Sequence, residues 1–392
     1  MIKSQGSKRP FFCEIFLLGH SFCAKPGIGN EKICHSFLLR KSNIIALFAF
    51  NKVIKARKNT PYPFFCLPLQ TNFKKRHKTS SSDMSSLLSV IIVNYKMDDL
   101  TSSFVKNELV KVAIPHKTVI VNNAATPESN AALCKSLNAT LITDIEAETD
   151  AEKDVFVISS DENLGFARGN NLGAEFSRRA FDPYYILFTN NDIQIPDNNV
   201  VGKMLQKLHV TPEAGVIGPK VLGPDGVEQS PCCYHSCWER EVVKHWSAYF
   251  LSKRKQVERF HMDYAQKATE GFHYFVLGCF FIVRASDFYR CDMFDPNTFL
   301  YAEEKILAER MKTIDKKAYY LPSVNVIHAH GMTTGRYSKK RAILKWQNIS
   351  NLYYYRNYFH TTRSVIFMAS LTNYLVRLKI GLGHIFSSPK TA

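Results

Sequence analysis

Strand and helix signals alternate along the middle of this chain, and that alternation restricts the fold more than any other feature. Leu87–Val93 is a continuous apolar run, as expected of a strand covered on both faces. Asp98–Val110 follows with helical spacing, and Asp98 or Asp99 is placed to cap it. Further strands are expected at Thr118–Val121, Val155–Ser159, Tyr184–Thr189 and Val216–Gly218. Helices are expected at Arg168–Ala180 and at Asn198–His209, the latter opened by Pro196 and Asp197. The pattern predicts an α/β fold, a mostly parallel sheet with helices on both faces. In such sheets ligands bind beyond the carboxyl ends of the strands. Polar residues gather there: Asn94-Tyr95, Asn122-Asn123 and Asn190-Asn191-Asp192.

Charge divides the chain into three. The whole carries net +17 over 392 residues. Residues 1–83 hold 15 basic and 3 acidic residues, and residues 316–392 hold 12 basic and none acidic. The stretch between them is net −7. The positive charge therefore belongs to the ends, and each end needs its own account. In 1–83 short apolar stretches are broken by basic residues with no persistent period. This basic leader is expected to be poorly ordered or not part of the functional protein. Three readings stay open: translated sequence upstream of a start at Met84, a targeting peptide, or a membrane-surface arm. The ten cysteines include no CxxC pair, and Cys232-Cys233-Tyr234-His235-Ser236-Cys237 lacks common zinc-site spacing. A reducing cytoplasm is the default. No run of 18 apolar residues marks a spanning helix.

Four constellations carry chemistry. Asn163-Leu164-Gly165-Phe166-Ala167-Arg168-Gly169-Asn170-Asn171 lies between a strand and a helix, where two glycines permit close backbone approach and a helix N-terminus favours an anion. It also reads as an ordinary glycine turn. Phe188-Thr189-Asn190-Asn191-Asp192 delivers a carboxylate at a strand end, where a diphosphate held by Mg²⁺ or Mn²⁺ needs an oxygen ligand, or where an aspartate merely caps a turn. Phe299-Leu300-Tyr301-Ala302-Glu303-Glu304 places two carboxylates after an aromatic strand end and at a helix start. Either one is a candidate general base, and acidic residues are also common in first turns. Leu307, Met311 and Ile314 share that helix's apolar face. Val326-Ile327-His328-Ala329-His330 brings two histidines after a strand.

In this order the motifs resemble family 2 of the inverting glycosyltransferases, which have the GT-A fold, and most closely its bacterial rhamnosyltransferase-like branch. The residues that carry the resemblance are Val90–Tyr95, Val121–Ala125, Asn163–Asn171, Asn190–Asp192, Gly278–Arg284, Phe299–Leu307 and His328–Thr333, within about 85–335. The resemblance implies sugar transfer from a nucleotide-sugar donor to a glycan or lipid-linked acceptor, with inversion, in cell-surface polysaccharide biosynthesis. It implies that Asn94, Tyr95 and Asn122 line the nucleotide pocket. Asn163, Gly165, Phe166, Gly169, Asn170 and Asn191 would approach nucleotide and diphosphate. Asp192 would hold Mg²⁺ or Mn²⁺ with His328 a second ligand, and Glu304 would be the base with Glu303 beside it. Many relatives have Asp where Asn122 and Glu304 stand here.

The domain is thus expected over 84–335, with 336–392 a basic, aromatic, helical tail. Ser364–Ile380 is expected to form an amphipathic helix, suited to an anionic membrane surface or to packing back on the domain. The expected location is cytoplasmic, peripheral at the inner face of the plasma membrane. Two rival functions differ in class. A nucleic-acid-binding protein is disfavoured because the motif-bearing segment is net acidic and holds no recognition motif, so no nucleic-acid partner is expected. A sugar nucleotidyltransferase would want a basic, Gly-rich signature that Ser89–Lys96 lacks. Gln229–Gly271 matches no motif and is read as an acceptor-facing segment or a variable loop.

Overall fold

The opening apolar run forms β1 (Leu88–Asn94), inside a ten-stranded sheet. The structure, a computed structural model, describes residues 87–147, 149, 152–232, 247, 250–329 and 340–386. The chain divides into a unit Met1–Arg76 and a unit His77–Ala392. The expectations for the leader fall outside the described residues, as do those for Cys233–Cys237 and His330.

After β1 come α1 (Asp98–Asn107), β2 (His116–Asn123), α2 (Pro127–Leu137), β3 (Thr140–Ile142) and β4 (Val155–Ser160). Then follow α3 (Gly165–Ala180), β5 (Tyr185–Thr189), β6 (Ile193–Gln194), α4 (Val200–Val210) and β7 (Ala214–Leu222). Two short helices, α5 (Lys253–Phe260) and α6 (Tyr264–Lys267), precede β8 (Gly271–His273), β9 (Phe280–Arg284) and α7 (Ala285–Arg290). The remainder is α8 (Glu303–Lys312), β10 (Lys317–His328), α9 (Lys340–Asn357) and α10 (Arg363–Phe386).

The strand order is β3-β4-β2-β1-β5-β9-β7-β10-β6, with β8 also on β10. Strands β1 to β5 are mutually parallel. β9 runs antiparallel to both β5 and β7, while β7 and β10 are parallel. β6 and β8 run antiparallel to β10. The sheet is mostly parallel and flanked by helices, in the α/β class expected.

Continuous apolar strands are needed because neighbouring residues feed different cores. Val90, Ile92, Ile120 and Leu187 pack with Phe104 of α1, Leu133 of α2 and Met204 of α4. Ile91, Val119, Val121 and Phe188 pack with Phe176 of α3, Phe288 of α7 and Met311 of α8. That is period-two alternation with both faces covered.

Several local expectations are corrected. Neither Asp98 nor Asp99 caps α1: Met97 holds the cap position with no side-chain bond, and Asp98 Oδ1 accepts from Asn94 Nδ2 (2.7 Å). Helix α1 ends at Asn107, and a separate 3₁₀ turn covers Leu109–Lys111. α4 starts at Val200, because Asp197 Oδ1 takes the Asn199 amide (2.9 Å) in the preceding turn. α3 starts three residues before the expected Arg168, at Gly165. Phe299–Tyr301 is not a strand. It is a bend whose Tyr301 and Ala302 both adopt left-handed φ, of 74° and 70°. Sequence reasoning passed over α2, β3, β6, α5, α6, β8, β9 and α7, most of them short or weakly periodic.

Candidate active site

The polar residues at the strand ends form one buried hydrogen-bonded chain. Asn191 Nδ2 donates to Thr101 Oγ1 (2.8 Å), and Thr101 Oγ1 donates to Asn94 Oδ1 (2.7 Å). Asn94 Nδ2 donates to Asn122 Oδ1 (2.8 Å), Asn122 Nδ2 to Asn130 Oδ1 (2.8 Å), and Asn130 Nδ2 to Ser159 Oγ (2.9 Å). The carboxyl ends of β5, β1, β2 and β4 are thereby joined through α1 and α2. Asn94, Asn122 and Asn191 are all buried. The structure therefore places these three sequence candidates beneath the strand-end surface, with amide groups engaged by protein. Tyr95, next along from Asn94, is half-buried, and the Lys96 ammonium lies 5.4 Å from its ring centroid.

The Asn163–Asn171 motif forms the next wall. Asn163 Oδ1 accepts the Gly165 amide (3.1 Å). Gly165 has φ +73°, and a β-carbon there would meet the Phe299 carbonyl oxygen at 2.2 Å, so only glycine fits. The Phe166 amide donates to that same carbonyl (2.9 Å). Gly169 lies against Val93, where an added carbon would come within 3.1 Å. Asn170 Nδ2 donates to Phe166 O (3.0 Å) inside the helix. The close approaches these glycines allow are thus to the Phe299 bend and to β1. Asn163 remains half-buried, while Gly169 and Asn170 are buried. A cleft of about 480 Å³ borders the motif, with Ser159, Ser160, Arg168 and Asn171 in its lining.

Asp192 and His328 come together although 136 positions separate them in sequence. Asp192 Oδ1 is buried without a hydrogen-bond partner, and His328 Nε2 stands 3.3 Å away. Asn190 Nδ2 approaches the same nitrogen at 3.4 Å. An unsatisfied buried carboxylate oxygen beside an imidazole nitrogen is a donor pair that suits a divalent cation, which would need further ligands from substrate or water. No group of three or more His, Cys, Asp or Glu residues that could hold a metal exists among the described residues.

The carboxylate pair opens α8. Glu304 Oε1 accepts the Gly278 amide (3.0 Å), and the side chain is half-buried. Glu303 is buried with Oε1 unpartnered. Burial, reinforced by the neighbouring Glu304 charge, pushes the Glu303 carboxyl up to about 8. Residues Gly278 and Cys279 tie this pair to Asp192. The Cys279 carbonyl accepts the Asn190 amide (2.8 Å), and burial raises the Cys279 thiol well above its ordinary value, with the Asp192 and Glu304 carboxylates adding to the rise.

Helix α9 reinforces the bend before α8. Ser350 Oγ donates to Leu300 O (2.7 Å), and the Trp346 and Phe299 rings lie 5.1 Å apart. Buried Asp295 accepts from Tyr353 (2.9 Å) and Tyr358 (2.6 Å) and faces Arg310 of α8 (3.4 Å). The tail tyrosines therefore pack back on the domain. Thr101, Asn130, Ser159, Gly278 and Asp295 are site-supporting residues that sequence reasoning missed. Gly278 alone carried a signal, as the first residue of the Gly278–Arg284 motif.

The family model described as Glycosyl transferase family 2 matches residues 89–285. The chain is 25% identical over 146 residues to the low-salt glycan biosynthesis hexosyltransferase Agl10 of Haloferax volcanii, covering 37% of this chain and 40% of that protein. It is 22% identical over 266 residues to the N-acetylglucosaminyl-diphospho-decaprenol L-rhamnosyltransferase of Mycobacterium tuberculosis, covering 64% of this chain and 79% of that protein. Among solved structures it is similar to a Pyrobaculum calidifontis mannosyltransferase in complex with GDP-Man and Mn²⁺, with TM-score 0.46 and 12% identity over 88% of this chain and 84% of that one.

Proposed function

The chain belongs to glycosyl transferase family 2, and on that footing we propose that it moves a sugar from a nucleoside-diphosphate donor to a hydroxyl of a glycan or lipid-linked acceptor, with inversion. A diphosphate-linked lipid acceptor is supported by the name of the mycobacterial relative, and cell-surface polysaccharide assembly is the setting we propose for it. A deoxyhexose such as rhamnose is the sugar class the same name supports.

The observation that carries this reading is that the adjacent residues Gly278 and Cys279, just before β9, link the two carboxylates: the Gly278 amide donates to Glu304, and the Cys279 carbonyl accepts the amide of Asn190, two residues before Asp192. Glu304 binds the Gly278 amide through Oε1, which leaves its other oxygen to take the acceptor's proton. The acceptor oxygen then attacks the anomeric carbon on the face opposite the diphosphate, which inverts that centre. Asp192 and His328 would hold Mg²⁺ or Mn²⁺, which when bound neutralises charge on the departing diphosphate. Tyr95 and Asn163, half-buried beside the strand ends, are the proposed direct contacts to the nucleotide. Asn94, Asn122, Asn191, Gly165, Phe166, Gly169 and Asn170 fix the surface beneath it. We place the protein at the cytoplasmic face of a membrane as a peripheral protein.

A thermal-shift panel of UDP, dTDP and GDP sugars with and without Mn²⁺ tests the reading, together with transfer assays. One donor should stabilise the chain in a metal-dependent manner. Glu304→Gln should keep that stabilisation and lose about 10²-fold or more in transfer rate, and Asp192→Ala should lose the metal dependence. Near-parent rates in both variants would remove the site assignment. Tight nucleic-acid binding without affinity for any nucleoside diphosphate would favour the nucleic-acid reading.

A further inference from the structure

Helix α10 buries one face and leaves the opposite one bare. Ala369 and Thr372 are buried, and Asn373 Nδ2 donates to Asn348 Oδ1 of α9 (2.8 Å). On the far side stand Phe367, Met368, Leu371, Tyr374, Leu375 and Leu378, each between 38% and 65% exposed. At about 100° per residue these six fall in a stripe roughly 120° wide. Single exposed apolar residues are ordinary on any protein, but a contiguous face is not.

Beside this stripe a cleft of about 300 Å³ opens between α9 and α10, lined by Ala342, Lys345, Tyr374, Arg377 and Leu378. Among the described residues its charged lining is Lys345 and Arg377, both cationic. Residues 316–392 contain no Asp or Glu, so the segment has no carboxylate side chain of its own to offset them. Among the described residues no helix is long and apolar enough to cross a membrane.

We propose that α10 docks on an anionic lipid bilayer. The apolar stripe enters the boundary between headgroups and acyl chains, and the Lys345–Arg377 cleft takes a lipid phosphate. An apolar face rimmed by cations suits a helix lying in the surface plane, and an anionic leaflet attracts the rim. A second copy of the chain covers the stripe less well. A two-fold contact there brings cationic clefts together in a segment with no acid to separate them. The docking surface stands apart from the sugar-transfer reading, since vesicle binding is measured with no donor present.

The test uses the full chain and vesicles of phosphatidylcholine with or without phosphatidylglycerol. Binding should require phosphatidylglycerol and weaken with salt. The basic leader can contribute to total binding, so the comparison with variants decides. The pair Phe367→Glu and Leu371→Glu should reduce binding at least about tenfold. Lys345→Ala and Arg377→Ala should each reduce it about fivefold. Since all four positions line an open surface, circular dichroism should be unchanged. Phe367→Trp fluorescence should be quenched by brominated phosphatidylglycerol. Undiminished vesicle binding by the double variant, or an unquenched Trp at 367, would overturn the proposal. So would a dimer that the double variant dissociates in a protein that ignores vesicles.

Discussion

The backbone amide of Gly278 donates to Glu304 Oε1 at 3.0 Å, and a methyl group on Gly278 would stand 2.6 Å from that same oxygen. The atom it meets is the mobile end of a side chain, so Gly278→Ala displaces the proposed base with little cost to the fold. We expect kcat/KM to fall about 10²-fold while the melting temperature stays near that of the parent. A large fall in melting temperature with unchanged kcat would contradict this.

The Thr101 hydroxyl links Asn191 to Asn94. Thr101→Val keeps the shape of the side chain and takes this partner from two buried atoms, the Asn191 Nδ2 donor and the Asn94 Oδ1 acceptor. The expected destabilisation is about 1–3 kcal/mol, read by urea unfolding. Because Asn191 precedes Asp192, metal affinity should weaken as well. A neutral substitution would mean that water replaces the hydroxyl.

Burial works against ionisation of Asp295, yet the hydrogen bonds from Tyr358, Asn297 and Tyr353 hold its carboxyl below the usual range. A lowered carboxylate adds stability above its unfolded pKa, and that stability is lost as pH falls through the folded value. Tyr358→Phe should remove about 1.5–3 kcal/mol at neutral pH and less in acid. It should also lower transfer, because Tyr358 bridges Asp295 and Arg310 of α8. Equal destabilisation across the pH range would contradict the charge-assisted bond.

Glu303 has the opposite sign. Its carboxyl is raised from 4.5 to about 8, so the native state keeps a proton that the unfolded chain releases. Stability should therefore decline as pH rises between about 5 and 8, then level off. Glu303→Gln should flatten that decline in unfolding measured across the same window. A parallel decline in the variant would assign the slope to another group.

The sheet was legible because its strands are buried on both faces and read as unbroken apolar runs. Leu88–Asn94 and Tyr185–Thr189 were each located to within a residue. Helix α1 starts at Asp98 as expected, but that acid bonds across to Asn94 instead of capping its own helix, and the starts of α3 and α4 lie two or three residues from those expected. Within the site, the sequence pointed to Asp192, His328 and the Glu303–Glu304 pair. It could not reveal that Asn94 and Asn122 turn inward, because an asparagine at a strand end looks the same whether it meets a ligand or another amide. Gly169 was misleading for a related reason: a glycine that admits a ligand and one that admits Val93 are the same residue in sequence. The tail was ambiguous between membrane and domain, and the two helices divide the answer. Tyr353, Tyr354 and Tyr355 of α9 face Asp295 and a shared aromatic cluster, whereas α10 turns its apolar residues outward.

Every bond in the buried chain from Asn191 through Thr101, Asn94, Asn122 and Asn130 to Ser159 donates in the same direction. Such a series polarises along its length, each link strengthening the next. Its electron-rich end lies at β5, immediately before the carboxylate proposed to hold a cation. Its proton-rich end lies at the Ser159 hydroxyl near the end of β4, in the lining of the cleft beside the Asn163 motif. The four strand ends are therefore joined by one chain of aligned bonds, its donors all aimed from the Asp192 flank toward the cleft, before any substrate arrives.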